Sequence, residues 1–245
     1  MCRIGVIPTV IDKTTVLDIL NHLEKDGGGD GNGISFYKDG VNQVVKGLNL
    51  SNTDIVDLIE LADPGLILYH TRKASAGHKV DDNCQPFLVT SGAICHNGTW
   101  RDFEQHLMHF LYNDQVSIQD YLSWSDSRFM AFLFDKYDKQ AFFINNDDVW
   151  VHYYLENGIT VADIYMFDGN FQIAAIENKF VGATKQDKLY DQIYRVSDKS
   201  IIRIRPDSFS IVSGSVTKAL STNLLKTGFQ GSWQSHQFAG NYGGI

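Results

Sequence analysis

Residues 1–10 read MCRIGVIPTV. Within them, CRIGVIP at residues 2–8 is a short, mostly apolar run of strand length, so the chain opens on a buried strand with a cysteine at its mouth. A small second residue such as cysteine permits removal of the initiator methionine, which leaves a thiol and a free α-amine on one residue. An α-amine has an unperturbed pKa of about 7.7–8.0, so near neutrality it can take the proton of the adjacent thiol. Taken alone, a cysteine at position 2 is more often incidental than catalytic.

Outward from this strand, Val16, Leu17, Leu20 and Leu23 recur at helical spacing over residues 14–25, with Thr15 and Asp18 as the expected capping pair. The glycine-rich DGGGDGNG, residues 26–33, should interrupt any regular element. ISFYKDGVNQVVKGL then reads as a hairpin turning at Asp39-Gly40. A short helix is expected over 53–62, a buried strand over 65–72, a strand pair around 86–96, and helices near 100–112 and 126–136. From about residue 140 to 180 the pattern shifts to strands, QAFFIN, VWVHYYL, ITVADIYMF and FQIAAIE, and IIRIRPDSFSIVS at 201–213 is a further strand pair. Strands grouped around interspersed helices favour an α+β layered domain over a repeating βαβ sheet. Residues 227–245, rich in Gly, Gln, Ser and Asn, are expected to form a flexible tail after a single domain at 2–226; the aromatic residues spaced through them, Phe229, Trp233, Phe238 and Tyr242, could instead dock on a partner.

Three further segments carry chemistry. HTRKASAG, residues 70–77, puts Arg72 at the end of a buried strand, where its planar fork suits either a structural salt bridge or a substrate carboxylate. ICHNGTW, residues 94–100, places Asn97-Gly98 at another strand end. That pair is either a turn or two donors, a side-chain amide and a backbone N–H, aimed at a developing oxyanion. In WSDSRF, residues 124–129, Asp126 is either a helix cap or the anion that holds a substrate ammonium.

Composition narrows the classes. The 245 residues are 43% hydrophobic and 20% charged, an ordinary globular balance. A net charge of -8 with no long basic cluster argues against nucleic-acid binding. No apolar run approaches the about 18 residues that span a bilayer, and the N-terminus lacks a signal-peptide pattern. Cys2, Cys84 and Cys95 cannot all pair, which suits a reducing compartment, so a cytoplasmic protein is expected.

The order of these segments is more specific than any one of them. Cys2, GGGDGNGI at 27–34, HTRKAS at 70–75, NCQPF at 83–87, HNG at 96–98 and SDS at 125–127 resemble the glutaminase domain of class II glutamine amidotransferases, nearest to the amidophosphoribosyltransferase type. The resemblance covers residues 2–135 by motif and implies an Ntn-hydrolase fold, a four-layer αββα sandwich. It also implies Cys2 as nucleophile with its own amine as base, Asn97 and Gly98 as the oxyanion hole, Arg72 on the glutamine α-carboxylate and Asp126 on the α-ammonium, with Ser75 as a further substrate-binding residue. No cofactor or metal is implied. The ammonia would serve a separate acceptor or synthetase protein; the alternatives are a stand-alone γ-glutamyl amide hydrolase and a catalytically silent binding module.

The sequence departs from the family at Gly27, where relatives carry a bracing arginine, at Lys73, where an aromatic is common, and at Ala76, where some carry histidine. The Gly27 change puts the rigidity of the glycine loop in question. A zinc module built from His70, His78, Cys84, Cys95 and His96 is the rival of another class, though no CxxC or HxxxH pair supports it.

Overall fold

The computed structural model describes residues 2–113, 115–137, 149–166, 171–176, 179–184, 192–196, 199–214 and 216–220. Strand β1 (Arg3–Pro8) is buried along its whole length and leads into helix α1 (Lys13–Gly27). Asp12 caps this helix, its carboxylate accepting from the Thr15 N–H at 3.0 Å, so the expected Thr15/Asp18 pair is replaced by a cap three residues earlier. The helix buries Val16, Ile19, Leu20 and Leu23, side chains that each contribute about 2 kcal/mol on leaving water. It runs on through Gly27, and β2 (Asn32–Lys38) already begins inside the glycine-rich segment, so the interruption is shorter than the composition suggests. The α1 ladder tolerates one glycine in its last turn, at a cost near 1 kcal/mol.

The hairpin of β2 and β3 (Val41–Gly47) turns where expected, with Asp39 at φ 52 and Gly40 at φ 73. Helix α2 (Asn52–Ile59) starts at a reciprocal Ser51/Asp54 capping box. Strand β4 (Leu66–Thr71), a 3-10 turn (Asp81–Asn83), β5 (Phe87–Val89), β6 (Gly92–Asn97), α3 (Phe103–Tyr112), α4 (Ile118–Ser123) and α5 (Asp126–Lys136) follow. The sequence reading missed α4, whose six residues are all at least partly exposed and so lack an apolar stripe.

The second half supplies β7 (Val149–Glu156), β8 (Ile159–Met166), β9 (Phe171–Ile176), β10 (Lys179–Thr184), β11 (Gln192–Val196), β12 (Ile201–Arg205), β13 (Ser208–Ser213) and β14 (Val216–Leu220). Strands β10, β11 and β14 were not anticipated. The QAFFIN segment and residues 227–245 lie outside the described residues.

The fold is mixed α/β with two antiparallel sheets. One runs β14-β11-β9-β10-β1-β4-β2-β3 and the other β13-β12-β8-β7-β6-β5. Ile4, Val6, Leu66 and Leu68 of the first sheet pack with Cys95, Val151, Tyr153, Ile164 and Ile204 of the second. The opposite face of the first sheet, with Ile7, Ile34, Ile67 and Tyr69, packs on α1 and α2. Ile94 and Trp150 of the second sheet pack on Phe103, Leu107, Phe129 and Leu133 of α3 and α5. Among the described residues, no helix is long and apolar enough to cross a membrane.

Candidate active site

Side chains alternate across a strand, so residues two apart share a face. Ile4 and Val6 of β1, Leu66 and Leu68 of β4, and Ala93 and Cys95 of β6 all face the space between the sheets. Continuing those counts to the strand ends brings Cys2, Arg72 and Asn97 to the same side. The register supplies the rest. Arg3 pairs with Thr71, and Thr71 with Asn32, so the start of β1, the end of β4 and the start of β2 lie at one edge. Reciprocal backbone bonds extend this ladder, from Asp30 N–H to the Arg72 carbonyl at 2.9 Å and from Arg72 N–H to the Gly31 carbonyl at 2.8 Å.

The Cys2 sulfur is buried and sits 3.3 Å from the Lys73 backbone nitrogen, which donates to it, and 3.5 Å from the Lys73 carbonyl. Burial pushes the thiol above its ordinary pKa; the Lys73 N–H and the Arg72 guanidinium oppose that push, and the Asp126 carboxylate adds to it. Both charged groups therefore act on the sulfur, and a thiol held protonated needs a base to become a nucleophile.

Arg72 is 3% exposed, with Nη1 donating to the His78 carbonyl at 3.1 Å and Nη2 to the Ala76 carbonyl at 3.0 Å. Those bonds leave three of its five N–H groups for another partner. Among the described residues Arg72 forms no salt bridge, and both contacts are to neutral carbonyls of its own loop.

Asp126 opens α5 but does not cap it. Ser125 is the cap, accepting from the Arg128 N–H at 3.2 Å. The Asp126 carboxylate instead accepts from the Trp100 N–H at 2.9 Å and the Ser127 N–H at 2.7 Å, which ties the 98–100 turn to the helix start. Asn97 ends β6 and is buried, and Gly98 follows at the edge of that turn. Ser75 lies on the exposed part of its loop, its hydroxyl sharing a 2.9 Å hydrogen bond with Thr99.

Several residues at the site escaped the sequence reading. Arg3, 4% exposed, donates to the Cys2 carbonyl at 2.9 Å and pairs with Asp26 at 2.6 Å. Asp30 accepts from the Ala74 N–H at 3.0 Å and from Lys79 Nζ at 2.7 Å, contacts that hold its carboxyl below the usual range. These bonds brace the glycine loop without an arginine at position 27. A charged residue inside an otherwise apolar strand, as Arg3 is, was the available signal.

The zinc alternative does not assemble. His96 turns to the helix side, stacked on Trp150 at 4.4 Å and bonded to Ser127 at 2.9 Å, and among the described residues no three His, Cys, Asp or Glu side chains group to hold a metal. Cys84 and Cys95 are buried and unpaired, but only Cys95 lies in a strand; Cys84 follows the 3-10 turn.

A search of solved structures finds this architecture again in a glutamine phosphoribosylpyrophosphate (PRPP) amidotransferase from B. subtilis complexed with ADP and GMP, at a TM-score of 0.58 and 15% identity. The fold resembles that of an amidotransferase. A second structure, described as the allosteric regulatory enzyme of purine biosynthesis, matches at a TM-score of 0.59 and 17% identity. Each alignment covers 86% of this chain and 48% of the other, so the chain spans about half the length of these neighbours. No protein-family profile matches the sequence, and no curated protein matches it. At such identities the neighbours establish the fold alone, and the chemistry must come from the residues.

Proposed function

We propose that this protein hydrolyses the side-chain amide of glutamine through a Cys2 thioester, within a four-layer αββα arrangement of the Ntn-hydrolase type. The observation that carries the reading is the buried Cys2 sulfur, held 3.3 Å from the Lys73 nitrogen directly after the buried Arg72, with three Arg72 N–H groups left for another partner. An amino acid offers the pair of charges complementary to Arg72 and Asp126, and its γ-amide would then reach the sulfur.

In this scheme Met1 is removed and the freed Cys2 amine takes the thiol proton. The thiolate attacks the amide carbon, and the Asn97 amide with the Gly98 N–H holds the oxyanion. One such donor is worth roughly 2.7–4 kcal/mol in other hydrolases. Among the described residues, the Asn97 side chain takes no hydrogen-bond partner, which leaves its N–H groups available. The protonated amine returns its proton to the leaving nitrogen, ammonia departs, and a glutamyl thioester remains. Water, deprotonated by the same amine, cleaves it to glutamate and regenerates the thiol. The ammonia serves an acceptor protein.

The test is incubation of purified protein with glutamine, with larger γ-glutamyl amides, and with a glutamine-analogue electrophile. Ammonia release from glutamine and an adduct on residue 2 are expected. Turnover confined to the larger amides would replace glutamine as substrate. No turnover and no adduct would leave a silent binding module.

A further inference from the structure

The NCQPF segment touches no reacting group in the scheme above, yet its side chains hold both halves of the pocket. Asn83 is fully buried. Its Oδ1 accepts from the Ser125 N–H at 3.2 Å, and its Nδ2 donates to the carbonyls of His78 at 2.9 Å and Ser123 at 2.8 Å. The His78 carbonyl is the one that Arg72 also grips, and Ser125 is the cap directly before Asp126. One amide therefore spans from the anchor of the cation to the backbone that presents the anion.

Two residues on, Gln85 is 2% exposed and clasps a single residue of β6. Its Oε1 accepts from the His96 N–H at 2.7 Å, and its Nε2 donates to the His96 carbonyl at 3.0 Å. His96 immediately precedes Asn97. The backbone of Gln85 also lies so close to β2 that a Cβ on Gly33 would come within 2.1 Å of its carbonyl oxygen, so position 33 has no room for a side chain beside this strip.

We propose that Asn83 and Gln85 are positioning residues with divided work. Asn83 sets the spacing of Arg72 and Asp126, and so the grip on the amino acid. Gln85 sets the strand end that carries Asn97 and Gly98, and so the stabilisation of the oxyanion. The inference rests on the proposed glutamine hydrolysis.

The experiment compares kcat and KM for ammonia release from glutamine, with thermal midpoints, in wild-type protein and in the Asn83→Ala and Gln85→Glu variants. Removing the Asn83 amide strands the buried Ser125 N–H and takes a donor from each of the His78 and Ser123 carbonyls, and KM should rise roughly tenfold or more with kcat within about threefold. Gln85→Glu keeps an acceptor for the His96 N–H but sets a carboxylate oxygen against its carbonyl. There kcat should fall roughly tenfold or more while KM holds within about threefold. If Asn83→Ala does not fold, Asn83→Ser, which retains a hydroxyl, carries the same test. Both constants worsening together in both variants, in step with the thermal midpoint, would overturn the division of work, as would unchanged constants in an active background. A wild-type protein that releases no ammonia would instead overturn the functional reading itself.

Discussion

The backbone nitrogen of Lys73 lies 3.3 Å from the sulfur of Cys2. The residue after Arg72 thereby fixes the thiol relative to the guanidinium, and the two are set by adjacent ends of neighbouring strands rather than by a flexible loop. Chemistry and binding should consequently separate on mutation. Cys2→Ala removes the sulfur but none of the charged groups, so ammonia release should vanish while glutamine affinity, read by calorimetry, stays within about threefold. Intact mass of active wild-type protein should show a chain beginning at Cys2; retained Met1 in active protein excludes the amine as base.

Arg72 gives a sharper test because its two carbonyl bonds are structural and its remaining donors are not. Arg72→Lys keeps the charge but loses the planar fork, and KM for glutamine should rise at least about tenfold. Arg72→Ala should raise it further. An unchanged glutamine affinity in both variants would remove the carboxylate role, whatever happens to kcat.

Much of the fold was legible because its signals are local. The Asp39-Gly40 turn, the short helix expected over 53–62 and the alternating run at 201–213 declare themselves within a few residues. What escaped was long-range. Strand β10 is defined by its pairing with β9 and β1, and its glycine and alanine give no pattern of their own. The site divides the same way. Cys2, Arg72, Asn97 and Asp126 stand out by residue type at element ends, whereas Asn83 and Gln85 act only through carbonyls and N–H groups 5 to 42 residues away, which no local pattern marks. The alternation that sends Arg72 and Asn97 inward could be counted from the sequence, but only once the strand boundaries were known.

Arg3 braces the start of β1 against the end of α1. Its buried guanidinium joins the Cys2 carbonyl to Asp26 at the end of α1. Arg3→Met preserves the apolar stem and volume but strands that carbonyl, so unfolding in denaturant should require about 1–3 kcal/mol less. Ammonia release should fall as well, because the start of β1 carries the sulfur. A variant as stable as wild type would show that Asp26, already partly exposed, finds water at no cost.

His70 predicts an acid-sensitive window. The ring is fully buried between the sheets, and burial lowers its pKa to about 3. An unfolded-chain histidine titrates near 6.5, so between these values the unfolded state binds a proton that the native state refuses. Stability is then lost as pH falls from about 6.5, by up to about 1.4 kcal/mol per unit from this group. Asp30 acts lower: its depressed pKa gives stability present above about 3.9 and lost below it, through the release of Lys79 and the Ala74 N–H. Denaturant unfolding at pH 6.5 and 4.5 spans the histidine window and stays above that of Asp30. His70→Phe should flatten the difference between the two pH values, whereas Asp30→Asn should leave it nearly as in wild type. An equal pH difference in wild type and His70→Phe would mean that the native protein binds the proton at position 70 as readily as the unfolded chain does.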